Sequence, residues 1–317
     1  MLPERKFIES VRKLGVAREG RELVRGIGDD CAVLQVPAGQ QILITTDLCI
    51  EGVHFRREWH PPDSVGHRCL ARGLSDIAAM GGEPVACFLS LGVPKRLSQQ
   101  WVNGFLRGFL QLARQFKVPL AGGDTSSSQE ITADIVVVGK VPSGTALMRS
   151  GARPGDQIYV TGELGYSAAV LKRLYAREKV SKRTFSRYFY PVPCIEVGRV
   201  LRQKKWPTAM IDLSDGLSVD LAHICDESDA SATVEAKMIP IAKEANLDLA
   251  LHGGEDYELL FTVRPGIKLP EKIAGVRVTM IGRIERKSSR GPQVKIRDHR
   301  GNLKTLKTKG WQHFSKN

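Results

Sequence analysis

Five short acidic motifs stand out along the 317-residue chain, each setting an Asp beside Gly, Ser or Thr: Gly28-Asp29-Asp30, Thr45-Thr46-Asp47, Ser75-Asp76, Gly122-Gly123-Asp124 and Asp212-Leu213-Ser214-Asp215-Gly216. Carboxylates flanked by small residues let a hydrated cation and a phosphate come close to the backbone, and Mg²⁺ prefers hard oxygen ligands while keeping several waters. The chemistry they suggest is a Mg-nucleotide site. Taken singly, an Asp next to Gly, Ser or Thr is how turns and helix N-caps are written. Five in one chain favour the ligand reading. Neither a Walker A lysine loop nor the His-Arg-Asp arrangement of protein kinases is present, so phosphoryl chemistry has to rest on the acidic clusters.

The elements that must position these carboxylates alternate between strand-like and helix-like patterns. Short strands are expected at Ala32 to Leu34 and Gln41 to Thr45. A helix is expected from Asp63 to Met80, with apolar Val65, Cys69, Leu70, Leu74, Ile77 and Ala78, closed by Gly81-Gly82. On that helix Asp76 falls at the edge of the apolar stripe, where a carboxylate needs a partner; a metal and an i,i+4 pair with Arg72 are both open. A second helix is expected from Ser98 to Phe116, then the Gly122-Gly123-Asp124 motif, then a strand at Ile131 to Val141. The turn-rich stretch from Arg149 to Asp156 marks a domain boundary. Beyond it, Gln157 to Thr161 reads as a strand, and Gly162 to Gly165 as an ordinary strand-to-helix turn. Ala209 to Ile211 reads as a buried strand delivering Asp212 and Asp215, with Ser214 as N-cap of a helix from Gly216 to Asp226. Leu251 to Glu258 is a glycine turn with three carboxylates, followed by a strand at Leu259 to Val263.

At this length two domains are the default. No apolar run approaches the roughly 20 residues that span a bilayer, and the first residues lack a signal-peptide core, so a cytoplasmic protein is expected. The six cysteines form no C-x-x-C pair and most sit in apolar stretches, which suits reduced, buried thiols. The net charge is +13, concentrated toward the C-terminus. Such a field draws in anionic substrates; without any recognition-helix, zinc-finger or RNA-binding signature, nucleic acid is a disfavoured partner.

Taken together, the motifs resemble the thiamine-monophosphate kinase family of the ATP-binding superfamily that also holds aminoimidazole ribonucleotide synthetase and selenophosphate synthetase. The matching stretches are Gly26 to Ala32, Thr45 to Asp47 with Glu51-Gly-Val-His-Phe55, Leu74 to Gly81, Gly122 to Thr125, Arg149 to Asp156, Ile211 to Gly216, Gly253 to Glu258 and Gly310-Trp-Gln-His-Phe314. They run in order through nearly the whole chain. The resemblance implies an α/β (α+β) fold of two domains. Residues 1–148 would form an ATP- and Mg-binding domain whose mixed sheet pairs with its twin in a homodimer, and residues 149–317 an α/β domain completing the active site.

The resemblance further implies phosphorylation of thiamine monophosphate by ATP, with several Mg²⁺ ions on Asp30, Thr45, Thr46, Asp47, Asp76, Asp124, Asp212 and Asp215. It places ATP contacts on Gly123, Asp124, Arg149 and Ser214, and thiamine-phosphate contacts on His54, Glu255 and Trp311. Asp30, Asp47, Asp124, Arg149 and Asp212 would carry the catalysis. A K⁺ requirement and the number of metals bound at once stay open. The rival within the superfamily is a ligase that binds Mg-ATP but activates an amide, against which the Glu51-Gly-Val-His-Phe55 and Gly310-Trp-Gln-His-Phe314 stretches argue. A phosphatase using the same metals, and a basic nucleic-acid-binding protein, are the remaining alternatives.

Overall fold

The computed structural model describes residues 22–25, 33–289, 291 and 293–310. Asp29, Asp30, Cys31 and Trp311 therefore lie outside the described residues. The chain divides into two compact units. One is made of Met1–Ile77, Gly82–Thr145 and Phe189–Val192, the other of Ala78–Gly81, Ala146–Tyr188 and Pro193–Asn317.

In the first unit, β1 (Leu23–Arg25) and β2 (Val33–Leu34) pair with each other. They are followed by β3 (Gln40–Ile50), α1 (Pro62–Ala79), β4 (Glu83–Val93), α2 (Gln99–Gln115), β5 (Leu120–Ser127) and β6 (Thr132–Pro142). The last four strands make a mixed sheet in the order β3-β6-β4-β5. Its one parallel pair, β4 with β5, is joined through α2, since parallel neighbours need a crossover. α1 opens with Pro62, whose fixed φ suits the first helical turn, and buries Val65, Cys69, Leu70, Leu74 and Ile77 as their 3.6-residue spacing requires. α2 is capped by the Ser98 hydroxyl, which accepts from the Trp101 N–H at 3.2 Å, and buries Val102, Phe105, Phe109 and Leu112. The two helices approach so closely that a Cβ at Gly108 would overlap the Asp63 carbonyl. On the other side of the sheet Leu23 packs against Val85, Ala86, Ala121 and Val138.

The second unit is built on β7 (Gln157–Thr161), α3 (Tyr166–Tyr175), α4 (Ile195–Lys204), β8 (Pro207–Asp212), α5 (Leu217–Glu227), β9 (Ala230–Glu235), α6 (Leu247–His252), β10 (Leu259–Val263), β11 (Lys272–Ile273), β12 (Val276–Arg286), β13 (Val294–Arg297) and β14 (Leu303–Thr305). The strands run in the order β14-β13-β9-β12-β7-β10-β8, with β11 paired only to β12. Neighbours are antiparallel except β13 with β9. All five residues of β10 are buried, which is why its sequence, Leu-Leu-Phe-Thr-Val, lacks the alternation of a half-buried strand, with the Thr262 hydroxyl accepting from the Ala209 N–H. Leu217, Leu221, Ile224 and Cys225 of α5 join Ala250 and Leu251 of α6 over Ile158, Val160, Ile211, Val234 and Leu260 in one core.

Two expectations need correction, and one motif gains an element. β3 continues five residues beyond Thr45, because it pairs with β6 without interruption from Gln40 to Ile50; Thr45-Thr46-Asp47 is therefore mid-strand. The Gly122-Gly123-Asp124 motif, to which the sequence assigned no element, lies inside β5, drawn in by the parallel ladder to β4. Ser214 is not the N-cap of α5. Gly216 stands there with no side-chain cap, and the Asp220 carboxylate reaches back to the amides of Asp215 and Gly216 just ahead of the first turn.

Candidate functional site

Alternation along β3 sorts its acidic motif. Cys49 is buried and Thr45 and Asp47 are half-buried on one face, whereas Ile44, Thr46 and Leu48 are exposed on the other. The Thr45 hydroxyl donates to the Asp76 carboxylate on α1, so two motifs 31 positions apart meet in one contact. That hydroxyl is a partner the half-buried Asp76 needs. The Cys69 thiol is held well above its ordinary range first by its hydrogen bond with Cys49 and then by burial, with the Asp47 carboxylate adding to the rise. Cys49, Cys69, Cys87, Cys194 and Cys225 are all free and buried, as their apolar settings predicted, and a protonated buried thiol is a poor nucleophile.

Asp124 is exposed, and its Oδ1 accepts from the Thr125 N–H at 2.8 Å. Register puts it in a row with Ser90, Asp134 and Leu48, hence on the sheet face of Thr46 and away from that of Thr45 and Asp47. Gly123 beside it has φ +151, and a Cβ there would overlap the Leu89 carbonyl, so the motif admits no side chain at that position. After β3 the chain turns back through Gly52, and the Ile50 N–H donates to His54 Nδ1 at 3.0 Å. With Nδ1 accepting, a neutral His54 ring carries its proton on Nε2.

In the second unit β8 delivers a buried Asp212 to its end, as the pattern Ala209 to Ile211 predicted. The loop that follows is held from two sides. The Leu213 N–H donates to the Glu258 carbonyl at 2.7 Å, the Glu255 N–H to Ser214 O at 2.8 Å, and the Tyr257 N–H to Leu213 O at 3.0 Å. From the other side Asp220 Oδ2 accepts from the N–H groups of Asp215 at 3.2 Å and Gly216 at 3.0 Å. Burial raises the Asp220 carboxyl well above the usual range, and the nearby charges of Asp212 and Asp215 push it further. A Cβ at Gly310 would overlap the Asp215 carbonyl, which brings the start of the Gly310-Trp311 motif onto this loop. Arg149 is exposed, and its guanidinium makes no hydrogen bond or ion pair among the described residues. Its main chain is anchored instead, by the Ser228 hydroxyl at 3.3 Å.

Asp220 escaped the sequence reading, although an Asp in the first turn of a helix that starts at a glycine was the available signal. Arg187, which binds Glu258 at 3.0 Å, offered none. No group of three or more His, Cys, Asp and Glu side chains among the described residues gathers into a metal-holding cluster. In the first unit Thr45 touches Asp76, and in the second the charges of Asp212 and Asp215 reach Asp220. A hydrated Mg²⁺ uses one or two carboxylates and keeps its waters, so these hard-oxygen sets suit it in kind.

Residues 28–141 match the family model of AIR synthase related protein, N-terminal domain, and residues 153–294 that of AIR synthase related protein, C-terminal domain. The thiamine-monophosphate kinase of Escherichia coli (strain K12) is 38% identical over 307 residues, covering 92% of each chain. The crystal structure of thiamine-monophosphate kinase from Stenotrophomonas maltophilia K279a has a TM-score of 0.80 at 34% identity, covering 92% of this chain and 96% of that one. AaThiL, solved in complex with AMPPCP and TMP, has a TM-score of 0.78 at 30% identity, covering 98% of this chain and 97% of that one.

Proposed function

We propose, because this chain belongs to the thiamine-monophosphate kinase family among the AIR-synthase-related proteins, that it moves the γ-phosphoryl group of ATP onto the phosphate of thiamine monophosphate, giving thiamine diphosphate and ADP. The observation that carries the reading is the AaThiL complex with AMPPCP and TMP, a protein 30% identical to this one across 98% of the chain. A phosphate monoester is already largely dianionic near neutral pH, with a second pKa of about 6, so its oxygen attacks without a general base. What remains for the protein is to bring two polyanions together and hold them in line.

In this reading Thr45, Thr46, Asp47, Asp76 and Asp124 in the first unit, Asp212 and Asp215 in the second, and Asp30 would hold Mg²⁺. The bound ions would offset the repulsion between donor and acceptor phosphates and stabilise the charge of the loose transition state. The exposed Arg149, uncommitted among the described residues, is suited to the planar forked contacts a guanidinium makes with phosphate. Gly123, with no side chain in the way, and Ser214 would line the nucleotide. His54, its proton on Nε2, would donate to the acceptor phosphate. Glu255 and Trp311 would meet the thiamine moiety, the indole facing the cationic thiazolium.

A homodimer through the first unit's sheet is part of the proposal. Edge strand β3 exposes Ile42, Ile44 and Leu48 at 37%, 68% and 50% along one face, and an apolar edge of that length invites pairing. The cytoplasm, where ATP is held, is the proposed location; no helix among the described residues is long and apolar enough to cross a membrane. The test is ADP formation from Mg-ATP with and without thiamine monophosphate and with and without K⁺, with the thiamine products separated by chromatography. Diphosphate appearing one for one with ADP is the expected result. ATP turnover with unchanged thiamine monophosphate, or release of free phosphate, would overturn it.

A further inference from the structure

The segment Glu255-Asp256-Tyr257-Glu258 has a backbone that its sequence does not explain. Glu255 and Tyr257 sit at φ +62 and +53, a left-handed conformation that is unfavourable for a residue with a Cβ and is kept only where the surroundings impose it. Between them lies Asp256, 8% exposed. Its Oδ2 accepts from the Gly165 N–H at 2.6 Å and its Oδ1 from the Ser167 N–H at 3.2 Å, so a carboxylate 90 positions away along the chain closes the N-terminus of α3. The Ser167 hydroxyl in turn donates to the Glu255 carbonyl at 2.7 Å, and the Glu255 N–H donates to Ser214 O. The charged groups that face Asp256 are Arg187 and Glu258. Glu258, 8% exposed, is itself held by the Thr161 hydroxyl at 2.6 Å and Arg187 Nη2 at 3.0 Å.

We infer that Asp256 is a positioning residue for substrate binding: by fixing Ser167 on α3 it sets, through the Ser167 hydroxyl, the strained main chain that presents Glu255. Burial works against the charge of a carboxylate there, and the two amides it accepts from, with Arg187, offset part of that cost. Its use lies in gripping two amides at once, which a neutral amide side chain, with a single acceptor oxygen, does less well. The relay runs Asp256 to Ser167 to Glu255 and ends beside Ser214. The inference rests on the proposed kinase reading, because it assigns Glu255 to the thiamine phosphate.

The test is steady-state kinetics of Ser167→Ala and Asp256→Asn at neutral pH, with KM for thiamine monophosphate and for ATP measured separately. Ser167→Ala removes only the hydroxyl of the relay and leaves the α3 amides in place. It should raise KM for thiamine monophosphate about fivefold, the effect of one lost hydrogen bond, while KM for ATP and kcat stay within about twofold. Asp256→Asn should raise the same KM by at least as much, and the double variant should equal the worse single one, since both act on one relay. Equal changes in both KM values, or unchanged KM values in both variants, would overturn the inference while the kinase reading stands. Wild-type protein that forms no thiamine diphosphate would overturn the reading and the inference with it.

Discussion

Replacing Asp256 by Asn removes one buried titration while nearly preserving the side chain's shape. Burial raises the Asp256 carboxyl from the ordinary 3.8 to about 6, against the lowering effect of the Gly165 and Ser167 amides and the Arg187 charge. The folded protein therefore binds the proton more tightly than the unfolded chain does. For a group raised in this way, the stabilising contribution is complete below the unfolded pKa and is lost as pH rises through the folded one. The separation between 3.8 and about 6 corresponds to roughly 3 kcal/mol, spread over the window from about pH 4 to pH 6. Other groups titrate nearby: burial raises Glu258 and Asp220, and burial lowers His67 and His252. They are present in both proteins and largely cancel in the difference. Urea unfolding at several pH values should show the stability of wild type relative to Asp256→Asn falling by roughly 3 kcal/mol between pH 4 and pH 7. The variant should lack this pH dependence and bind thiamine monophosphate more weakly. A difference that does not depend on pH, or that moves in favour of wild type as pH rises, would refute the account of a buried carboxylate kept for position at the expense of stability.

Thr45→Val, which deletes the hydroxyl that Asp76 accepts from, should raise the Mg²⁺ concentration for half-maximal activity about tenfold if Asp76 holds Mg²⁺ as proposed; a Mg²⁺ titration of ADP formation checks it. Gly123→Ala drives a Cβ into the Leu89 carbonyl at φ +151 and should destabilise the first unit by about 2–4 kcal/mol, read as a fall in Tm, with ATP binding weakened in parallel. Ile44→Lys places a charge on the most exposed apolar residue of β3 and should halve the mass measured by light scattering at micromolar concentration; an unchanged mass would remove this strand from the proposed dimer.

Elements whose stability is local were legible in the sequence. The helix expected from Asp63 to Met80 is found at Pro62–Ala79, because its apolar spacing, first-turn Asp63 and closing glycines all agree, and β7 occupies the expected Gln157–Thr161. What failed was set by distant partners. Nothing near Thr46 announces that β3 runs on to Ile50; β6, some 90 residues later, decides that. Gly122 to Asp124 looks like a turn in any local reading and becomes a strand only beside β4. The acidic motifs were found because small flanking residues mark them, but their faces were not. Alternation puts Thr46 and Thr45 on opposite sides of one sheet, and a motif read as a unit conceals that. Asp256 and Glu258 were seen as acids of a glycine turn, and only the fold shows them buried at the start of α3 and beside Arg187.

The strand order of the second unit bears on how the chain leaves the ribosome. β7 ends at Thr161, yet its two neighbours, β10 and β12, begin only at Leu259 and Val276, and β9 waits for β12 and for β13 at Val294. At roughly 5–20 residues per second, the apolar strand Ile158-Tyr-Val160 spends on the order of 5–20 s without either partner during synthesis. Its pairing is long-range on both sides, the kind that closes slowly and offers open edges to other chains meanwhile. The basic stretch from β12 through β14 emerges after the other strands of this sheet and supplies the ones that complete it. Stalling or truncation ahead of Val294 should therefore leave β9 with an open edge, and the resulting fragment should aggregate instead of accumulating as a stable shortened form.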